Sequence, residues 1–271
     1  MRIDEALKVA RDRLTGISER PLLEAEILLA HLLQKDRTFL HAHGDEFLSK
    51  EEEEAFFALV SRRSSYEPIE YITKEVSFYG ETFLIEPGVL IPRPETELLI
   101  DELLKELHGD ERICEVGTGS GVIAIMLKKM RPRLQIVATD INKKAIELAR
   151  KNANRFGVEI DFRHTFMLDG VGDVDVIVSN PPYIAEDYPL EPNVALFEPK
   201  EALIGGKEGD EMLKSLIDLF INSKATLLAC EMGYDQKERI MRYIDGYDLR
   251  VRFYKDYAGF DRGFVMKKGR K

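Results

Sequence analysis

The chain has 271 residues, of which 44% are hydrophobic and 32% are charged, and its formal net charge is −10. This length allows one large domain or two modest ones, and no apolar run approaches the ~18 residues of a membrane-spanning helix. The acidic balance disfavours a broad phosphate-binding surface, so no direct nucleic-acid partner and no membrane partner are expected. Cys114 and Cys230 lie in apolar segments without paired Cys or His spacing, which predicts buried thiols of a cytoplasmic protein and no metal site.

The first part of the chain, residues 1–70, has a helical pattern. Apolar residues recur at helical spacing over 22–33, and Pro21 suits the first turn of that helix. Ser49 followed by the glutamates at 51–54 places carboxylates at a helix N-terminus, where the helix dipole favours them. These signals predict a small N-terminal helical domain.

The pattern changes twice after this region. Residues 71–86 alternate apolar and polar side chains on either side of Gly80, which predicts a β-hairpin connector. Over 87–271, short apolar runs alternate with helical segments, which is typical of an α/β fold with a doubly wound, Rossmann-like sheet. The predicted parallel strands are 113–116, 135–139, 174–179 and 226–231, and the predicted helices are 122–129, 143–156 and 211–222.

A glycine-rich loop follows the first of these strands and opens a helix. Its residues are Gly117, Thr118, Gly119, Ser120 and Gly121. Glycines permit a tight turn and let a ligand approach the backbone closely. A dinucleotide-binding loop would need glycine where Val122 lies. The compact form favours the methionine part of S-adenosylmethionine, which has no pyrophosphate, although a plain strand-to-helix turn also fits.

Asp140 ends the next predicted strand. An acid at that strand end can accept hydrogen bonds from both ribose hydroxyls of a nucleoside. The alternative is that Asp140 caps the helix that begins near Asn142. The adenine is expected to lie against an apolar residue. Phe166 is the predicted residue, and a place in the core is its alternative. His164 is expected to be a surface or turn histidine.

A second motif, Asn180, Pro181, Pro182 and Tyr183, follows the strand predicted at 174–179. Two prolines cannot extend a central strand, so the chain leaves the sheet at the edge where open α/β sheets bind ligands. The side-chain carbonyl of Asn180 and the backbone carbonyl of Pro181 can accept both hydrogens of a planar NH2 group, while Tyr183 packs on its face. Asn180 is also predicted to contact the cofactor. Its alternative is a turn asparagine that bonds its own backbone.

The glycine-rich loop, the strand-end acid and Asn-Pro-Pro-Tyr, in this order, resemble methyltransferases that act on planar amino groups of adenine, guanine or glutamine. Three further segments resemble the peptide chain release factor glutamine methyltransferase family, also called HemK or PrmC: Leu-Ile-Pro-Arg-Pro-Glu-Thr-Glu at 90–97, Phe-Glu-Pro-Lys-Glu-Ala-Leu-Ile-Gly-Gly-Lys-Glu-Gly at 197–209 and Lys-Asp-Tyr-Ala-Gly-Phe-Asp-Arg at 255–262. The resemblance covers nearly the whole chain. Thr165, where the family usually has an acid, departs from it, as does the lack of a glycine common in the segment matching 62–68.

This resemblance implies an S-adenosylmethionine-dependent methyltransferase. Its expected substrate is the glutamine of the Gly-Gly-Gln motif of class I peptide chain release factors, methylated at the side-chain amide nitrogen by a monomeric enzyme. Residues 1–70 are then expected to dock the release factor, and Arg93 and Thr96 to border the pocket. Glu115 is expected either to hold the methionine end of the cofactor or to bond the N–H groups of its own loop. The alternative function is methylation of an amino group on a DNA or RNA base, against which the net acidity counts.

Overall fold

The computed structural model describes residues 1–269, so the last two residues of the predicted 87–271 domain lie outside it. The chain divides into two compact units. The first unit comprises Met1–Glu75 together with Leu190–Phe197, and the second comprises Val76–Pro189 and the chain from Glu198 onward.

The first unit is helical. Its first five helices are α1 (Ile3–Leu14), α2 (Pro21–Leu33), α3 (Arg37–Ala42), α4 (Lys50–Ser64) and α5 (Ile69–Thr73). The unit has its own apolar core, to which Leu14, Leu28 and Phe56 contribute fully buried side chains. Ser49 caps α4 in the predicted way: its hydroxyl accepts from Glu52 N at 3.1 Å, and the Glu52 carboxylate accepts from Ser49 N at 2.8 Å.

The second unit begins with a hairpin of β1 (Glu75–Phe78) and β2 (Glu81–Leu84) around Gly80. Asn152, a fully buried side chain, joins the hairpin to the rest of this unit. Its amide bonds both Leu84 N and Leu84 O, at 2.8 and 3.0 Å, and also donates to Ser120 O at 2.9 Å. The hairpin is thereby fixed to the glycine-rich loop.

The remainder of the second unit is an α/β sheet. Within residues 1–269 the sheet has seven strands in the order β10-β11-β9-β6-β3-β4-β5. These strands are β3 (Arg112–Val116), β4 (Gln135–Asp140), β5 (Asp161–His164), β6 (Val176–Ser179), β9 (Leu227–Glu231), β10 (Leu249–Lys255) and β11 (Asp261–Lys268). Smaller strands β7 (Ile184–Ala185) and β8 (Ile204–Gly206) pair separately. The helices are α6 (Thr96–Leu104), α7 (Val122–Met130), α8 (Lys143–Phe156), α9 (Pro192–Phe197, assigned to the first unit), α10 (Glu211–Asn222) and α11 (Lys237–Tyr243).

The predicted Rossmann-like fold class is confirmed, and the four predicted strands correspond to β3, β4, β6 and β9. The prediction missed β5, β10 and β11. The last two run antiparallel at one edge of the sheet, where the alternation of apolar and charged side chains along β10 is a strand signal that the prediction did not use. Both cysteines are buried and free, as predicted. No helix among the described residues has the length and apolar character needed to cross a membrane.

Strand order positions the site. The central strand β3 pairs in parallel with β4 on one side and with β6 on the other, so the direction of winding reverses at β3. Open α/β sheets bind ligands in the crevice that forms at the carboxyl ends of the strands at such a reversal. The glycine-rich loop leaves β3 and the Asn-Pro-Pro-Tyr motif leaves β6, so both segments begin at this crevice.

Candidate active site

A cleft that is partly open to solvent lies at the carboxyl ends of β3, β4 and β6. Most of the predicted site residues meet there: Gly117, Gly119, Asp140, Phe166, Asn180, Pro181 and Pro182 line it. Thr118, Ser120, Gly121 and Tyr183 are not among the described residues that line the cleft. Arg93 and Thr96, which were expected to border it, are not among them either.

Two residues of the glycine-rich loop, Gly117 and Gly119, line the cleft, and the other three are not among the described residues that line it. At Gly117 and Gly119, an added Cβ would meet no atom of residues 1–269 within 4 Å, so the cleft is open at both positions. Thr118 and Ser120 are buried and are not among the described residues that line the cleft. At Gly121 an added Cβ would lie 3.0 Å from Ala149 Cβ at a φ of +85°. This last glycine therefore serves the close packing of α7 on α8.

Glu115 holds the glycine-rich loop from beneath. Its Oε2 accepts from the Thr118 hydroxyl at 2.7 Å and from Ala124 N at 3.1 Å. The side chain is not among the described residues that line the cleft, and it bonds one loop hydroxyl and one N–H of α7 where the expectation had the N–H groups of the loop. Burial raises the pKa of Glu115 to about 8.

Asp140 links two backbone segments at the cleft wall. One carboxylate oxygen accepts from Gly119 N at 2.9 Å and the other from Asn142 N at 2.8 Å. The capping alternative is wrong, because α8 is capped by Asn142, whose side chain accepts from Lys144 N at 2.9 Å. A carboxylate has about four acceptor positions, and the backbone N–H of Ile141 also bonds this one, so Asp140 retains acceptor capacity for a ligand hydroxyl. Burial raises the pKa of Asp140.

Phe166 lies after β5 and lines the cleft with 51% of its surface exposed. The core alternative for this side chain is therefore wrong, and its ring offers an apolar face to a planar ligand. His164 is exposed, as expected, and its Nε2 lies 2.9 Å from Ile141 O. Neither observation tests the adenine contact itself, which stays a prediction.

Asn180 has a fixed orientation. Its Nδ2 donates to Thr96 Oγ1 at 3.0 Å. Within residues 1–269, Asn180 Oδ1 and the Pro181 carbonyl accept no hydrogen bond, so two acceptors from adjacent residues remain available at the cleft. The turn alternative, in which Asn180 bonds its own backbone, is not what the structure contains.

Tyr183 is held more firmly than its motif suggested. Its hydroxyl donates to Glu231 Oε1 at 2.9 Å, and its backbone carbonyl accepts from Gln236 Nε2 at 2.8 Å. Burial and the adjacent Glu231 carboxylate raise the pKa of Tyr183 well above its ordinary value. The ring packs against the apolar core around α10 and β9, and its stacking on a substrate amide stays a prediction.

Sequence reasoning missed Glu231, which ends β9 and joins Thr96 to Tyr183. Its Oε2 accepts from the Thr96 hydroxyl at 2.7 Å. A signal was present, since Glu231 is an acid at the end of a buried strand, as Asp140 is. The sequence did not indicate the partner of Glu231, because Thr96 lies 135 residues away along the chain.

The glycines at 205–209 have a structural reason. An added Cβ at Gly205 would lie 2.5 Å from the Pro182 carbonyl oxygen, and one at Gly209 would lie 2.7 Å from the Tyr183 carbonyl oxygen. The pairing of β7 with β8 brings these two backbones together. Side chains there would displace the Asn-Pro-Pro-Tyr motif, so these glycines serve the shape of the site.

Arg93 forms an ion pair in place of the expected position beside the cleft. Its Nη2 lies 2.6 Å from Glu198 Oε1, and the other oxygen of Glu198 accepts from Ile91 N at 3.1 Å. Glu198 is buried, and Pro199, the next residue, lines the cleft. The ion pair thus joins the segments 90–97 and 197–209 near the site.

Comparison with known proteins agrees with this geometry. The PrmC N-terminal domain model matches residues 5–73, and the methyltransferase small domain model matches residues 93–195. A release factor glutamine methyltransferase of Coxiella burnetii is 37% identical and spans 98% of this chain and 99% of its own length. The chain belongs to the release factor glutamine methyltransferase family. A relative of the same name from Bacillus cereus is 36% identical over 90% of each chain.

Membership of this family makes the chain a methyltransferase that depends on S-adenosylmethionine. A crystal structure of a ribosomal protein L11 methylase from Lactobacillus delbrueckii has a TM-score of 0.52, at 20% identity over 69% of this chain and 84% of that one. At this identity the likeness concerns the fold alone. The cleft fits the cofactor, since it offers open space at two glycines, free acceptors on Asp140 and an exposed ring.

Proposed function

We propose that this enzyme methylates the side-chain amide nitrogen of the glutamine in the Gly-Gly-Gln motif of class I peptide chain release factors. The observation that carries this proposal is the pair of free acceptors, Asn180 Oδ1 and the Pro181 carbonyl, at the cleft where the winding of the sheet reverses. Two acceptors on adjacent residues match the two hydrogens of a primary amide. Family membership favours a glutamine over a nucleic-acid base.

An amide nitrogen is a poor nucleophile because its lone pair is delocalised into the carbonyl group. When bound, S-adenosylmethionine supplies a strongly electrophilic methyl group. The protein then has to align the nitrogen, and Asn180 Oδ1 and the Pro181 carbonyl do this by accepting its two hydrogens. They also stabilise the positive charge that grows on the nitrogen, which later releases its surplus proton. Positioning of this kind supplies ~7–11 kcal/mol in favourable cases.

The cofactor would be held by the opposite wall of the cleft. Gly117 and Gly119 leave space beside the backbone, Asp140 accepts from ribose hydroxyls, and Phe166 lies against the adenine. Asn180 binds the substrate amide and also contacts the cofactor. The loop residues Thr118, Ser120 and Gly121 contribute by shaping the loop.

The first five helices would dock the release factor, which the enzyme meets in the cytoplasm as a monomer. Support comes from the match of residues 5–73 to the PrmC N-terminal domain and from the separate core of this unit.

Hydrogen exchange of the full-length enzyme tests this role. Amides in α1–α5 should gain protection with an intact release factor and none with a short Gly-Gly-Gln peptide. Equal amide protection of α1–α5 with both ligands would show that the release factor docks on another part of the enzyme.

The reaction is tested by mass spectrometry of a release factor after incubation with the enzyme and S-adenosylmethionine. We expect a mass increase of one methyl group on the peptide that contains Gly-Gly-Gln, located on the glutamine by fragmentation. A release factor with that glutamine changed to alanine is the matched control and should gain nothing. Methyl label that enters RNA or DNA in preference to the release factor would refute the proposal in favour of base methylation.

A further inference from the structure

Glu231 is a buried carboxylate to which the reaction assigns no role. Its side chain is 1% exposed, and it accepts from the Thr96 hydroxyl at 2.7 Å and from the Tyr183 hydroxyl at 2.9 Å. Burying a charge is costly unless hydrogen bonds compensate it. Here both compensating donors come from residues next to Asn180: Thr96 contacts its side chain and Tyr183 lies three positions along the chain.

The direction of each hydrogen bond in this chain of groups follows from the donors available. The Thr96 hydroxyl donates to Glu231 Oε2 at 2.7 Å, so its hydrogen points to Glu231. Thr96 then presents only lone pairs to Asn180, 3.0 Å away. The amide of Asn180 must therefore turn its NH2 group to Thr96. Rotating that amide by half a turn would bring two acceptors face to face.

We propose that Glu231, acting through Thr96, is a positioning residue that holds the Asn180 amide with Oδ1 toward the substrate nitrogen. This role rests on the proposed function, in which that oxygen accepts a hydrogen from the glutamine amide. With the amide reversed, the NH2 group of Asn180 would face the NH2 group of the substrate, and neither would have an acceptor. Glu231 thus selects the one orientation that binds the substrate.

The second arm of Glu231 fixes the other end of the motif. The Tyr183 hydroxyl bonds Glu231, and Gln236, on the loop that follows β9, bonds the Tyr183 carbonyl at 2.8 Å and Gly233 N at 2.8 Å. Burial raises the pKa of Glu231, whereas both hydroxyl donors and the charge of Arg262 lower it. The strand end of β9 therefore holds the Asn-Pro-Pro-Tyr motif at its first and last residues.

The test compares Thr96→Val with Thr96→Ser in the full-length enzyme, with a Gly-Gly-Gln peptide as substrate. Valine keeps the shape of threonine and removes the hydroxyl, while serine keeps the hydroxyl. At metal sites, loss of the groups that orient a ligand typically costs ~10–100-fold in activity, and Thr96 orients Asn180 in the same indirect way. We expect a kcat loss of that size for Thr96→Val and about threefold or less for Thr96→Ser, with the Kd for S-adenosylmethionine unchanged. Glu231→Met, which has a similar length and lacks both acceptors, should behave as Thr96→Val does.

A double variant separates positioning from general damage. Once Asn180 is alanine there is no amide to orient, so adding Thr96→Val to Asn180→Ala should lower kcat no further. Additive losses, or equal kcat in Thr96→Val and Thr96→Ser, would overturn the proposal. If Thr96→Val does not fold, Glu231→Met gives the same comparison, made once in the wild-type enzyme and once together with Asn180→Ala.

An NMR measurement makes the outcome independent of the proposed function. The side-chain NH2 signal of Asn180, assigned by its absence in Asn180→Ala, should exchange with solvent faster in Thr96→Val than in Thr96→Ser. Unchanged exchange would overturn the positioning role even in an active enzyme. If the wild-type enzyme leaves the intact release factor unmethylated but the two variants show this exchange difference, the proposed function is refuted and the hydrogen-bonded network is kept.

Discussion

Two buried carboxylates lie near the carboxyl ends of two strands of the same sheet, yet they bond different parts of the structure. Glu115, the last residue but one of β3, and Glu231, the last residue of β9, are each 1% exposed, and burial raises the pKa of both. Glu115 bonds Thr118 and Ala124, within nine positions of itself. Glu231 bonds side chains 135 and 48 positions away. The same burial therefore stabilises one loop in the first case and joins distant segments in the second.

This difference shows that the sequence separation between a buried acid and its hydrogen-bond partners is more informative than its burial. We call Glu115, the loop 117–121 and Asp140 the cofactor wall, and Thr96, 180–183 and Glu231 the substrate wall. The cofactor wall is built from local contacts along β3 and β4, whereas the substrate wall depends on contacts across the whole second unit. Damage to each wall should therefore appear in a different measurement.

The largest effect should come from Asn180→Ala, which removes one of the two acceptors for the substrate amide. Loss of one preorganised hydrogen bond typically lowers the rate by ~10²–10³. We expect that loss in kcat with the release factor, with the cofactor Kd changed only a few-fold, since the cofactor wall stays intact. Steady-state methylation and calorimetric titration measure the two quantities. A kcat close to that of the wild type would refute the role of Asn180.

The next effect concerns stability and pH at Glu115. Because burial raises the pKa of folded Glu115 to about 8 from its ordinary 4.5, the folded state retains a proton that the unfolded state releases. The stabilisation is complete below pH 4.5 and is lost as pH rises through about 8. Over this window the wild type should lose on the order of a few kcal/mol of unfolding free energy relative to Glu115→Gln.

Urea unfolding of the wild type and Glu115→Gln at several pH values between 5 and 8 measures this difference. The two proteins share every other titrating group, so their difference isolates Glu115. Parallel stability curves would show that Glu115 is ionised in the folded state across the whole range. The cofactor wall would then carry the negative charge that its sequence implies for Glu115.

The cofactor wall was the more predictable of the two from sequence, for a physical reason. A glycine-rich turn, a strand-end acid and a proline pair are local patterns, and each fixes the backbone where it stands. The direction in which Glu231 points depends on where α6 packs, and the need for Gly205 depends on the Pro182 carbonyl beside it. Such contacts follow from the topology of the sheet, which local periodicity does not encode.

A smaller effect on affinity should follow from Asp140→Asn. Hydrogen bonds that involve a charged group typically contribute ~1.5–3 kcal/mol, so the Kd for S-adenosylmethionine should rise about tenfold to a hundredfold. With saturating cofactor, kcat should stay within a few-fold of the wild type, since the substrate wall is untouched. Calorimetric titration measures the affinity. An unchanged Kd would reduce Asp140 to a brace between Gly119 and Asn142.

The smallest effect should be a difference in stability that separates two roles of Gly121, the adoption of a positive φ and the close packing of α7 on α8. Gly121→Ala strains a positive φ and also forces a Cβ to within 3.0 Å of Ala149 Cβ and 3.1 Å of Ile125 Cδ1. Gly157→Ala at the end of α8, with a φ of +64° and no atom within 4 Å of the added Cβ, is the matched control for strain alone. Strain of this kind costs ~1–2 kcal/mol and overpacking adds ~1–3 kcal/mol, so Gly121→Ala should be the less stable of the two in urea unfolding. Equal stabilities would mean that α7 and α8 shift apart at little cost, and that the loop needs this glycine only for its turn.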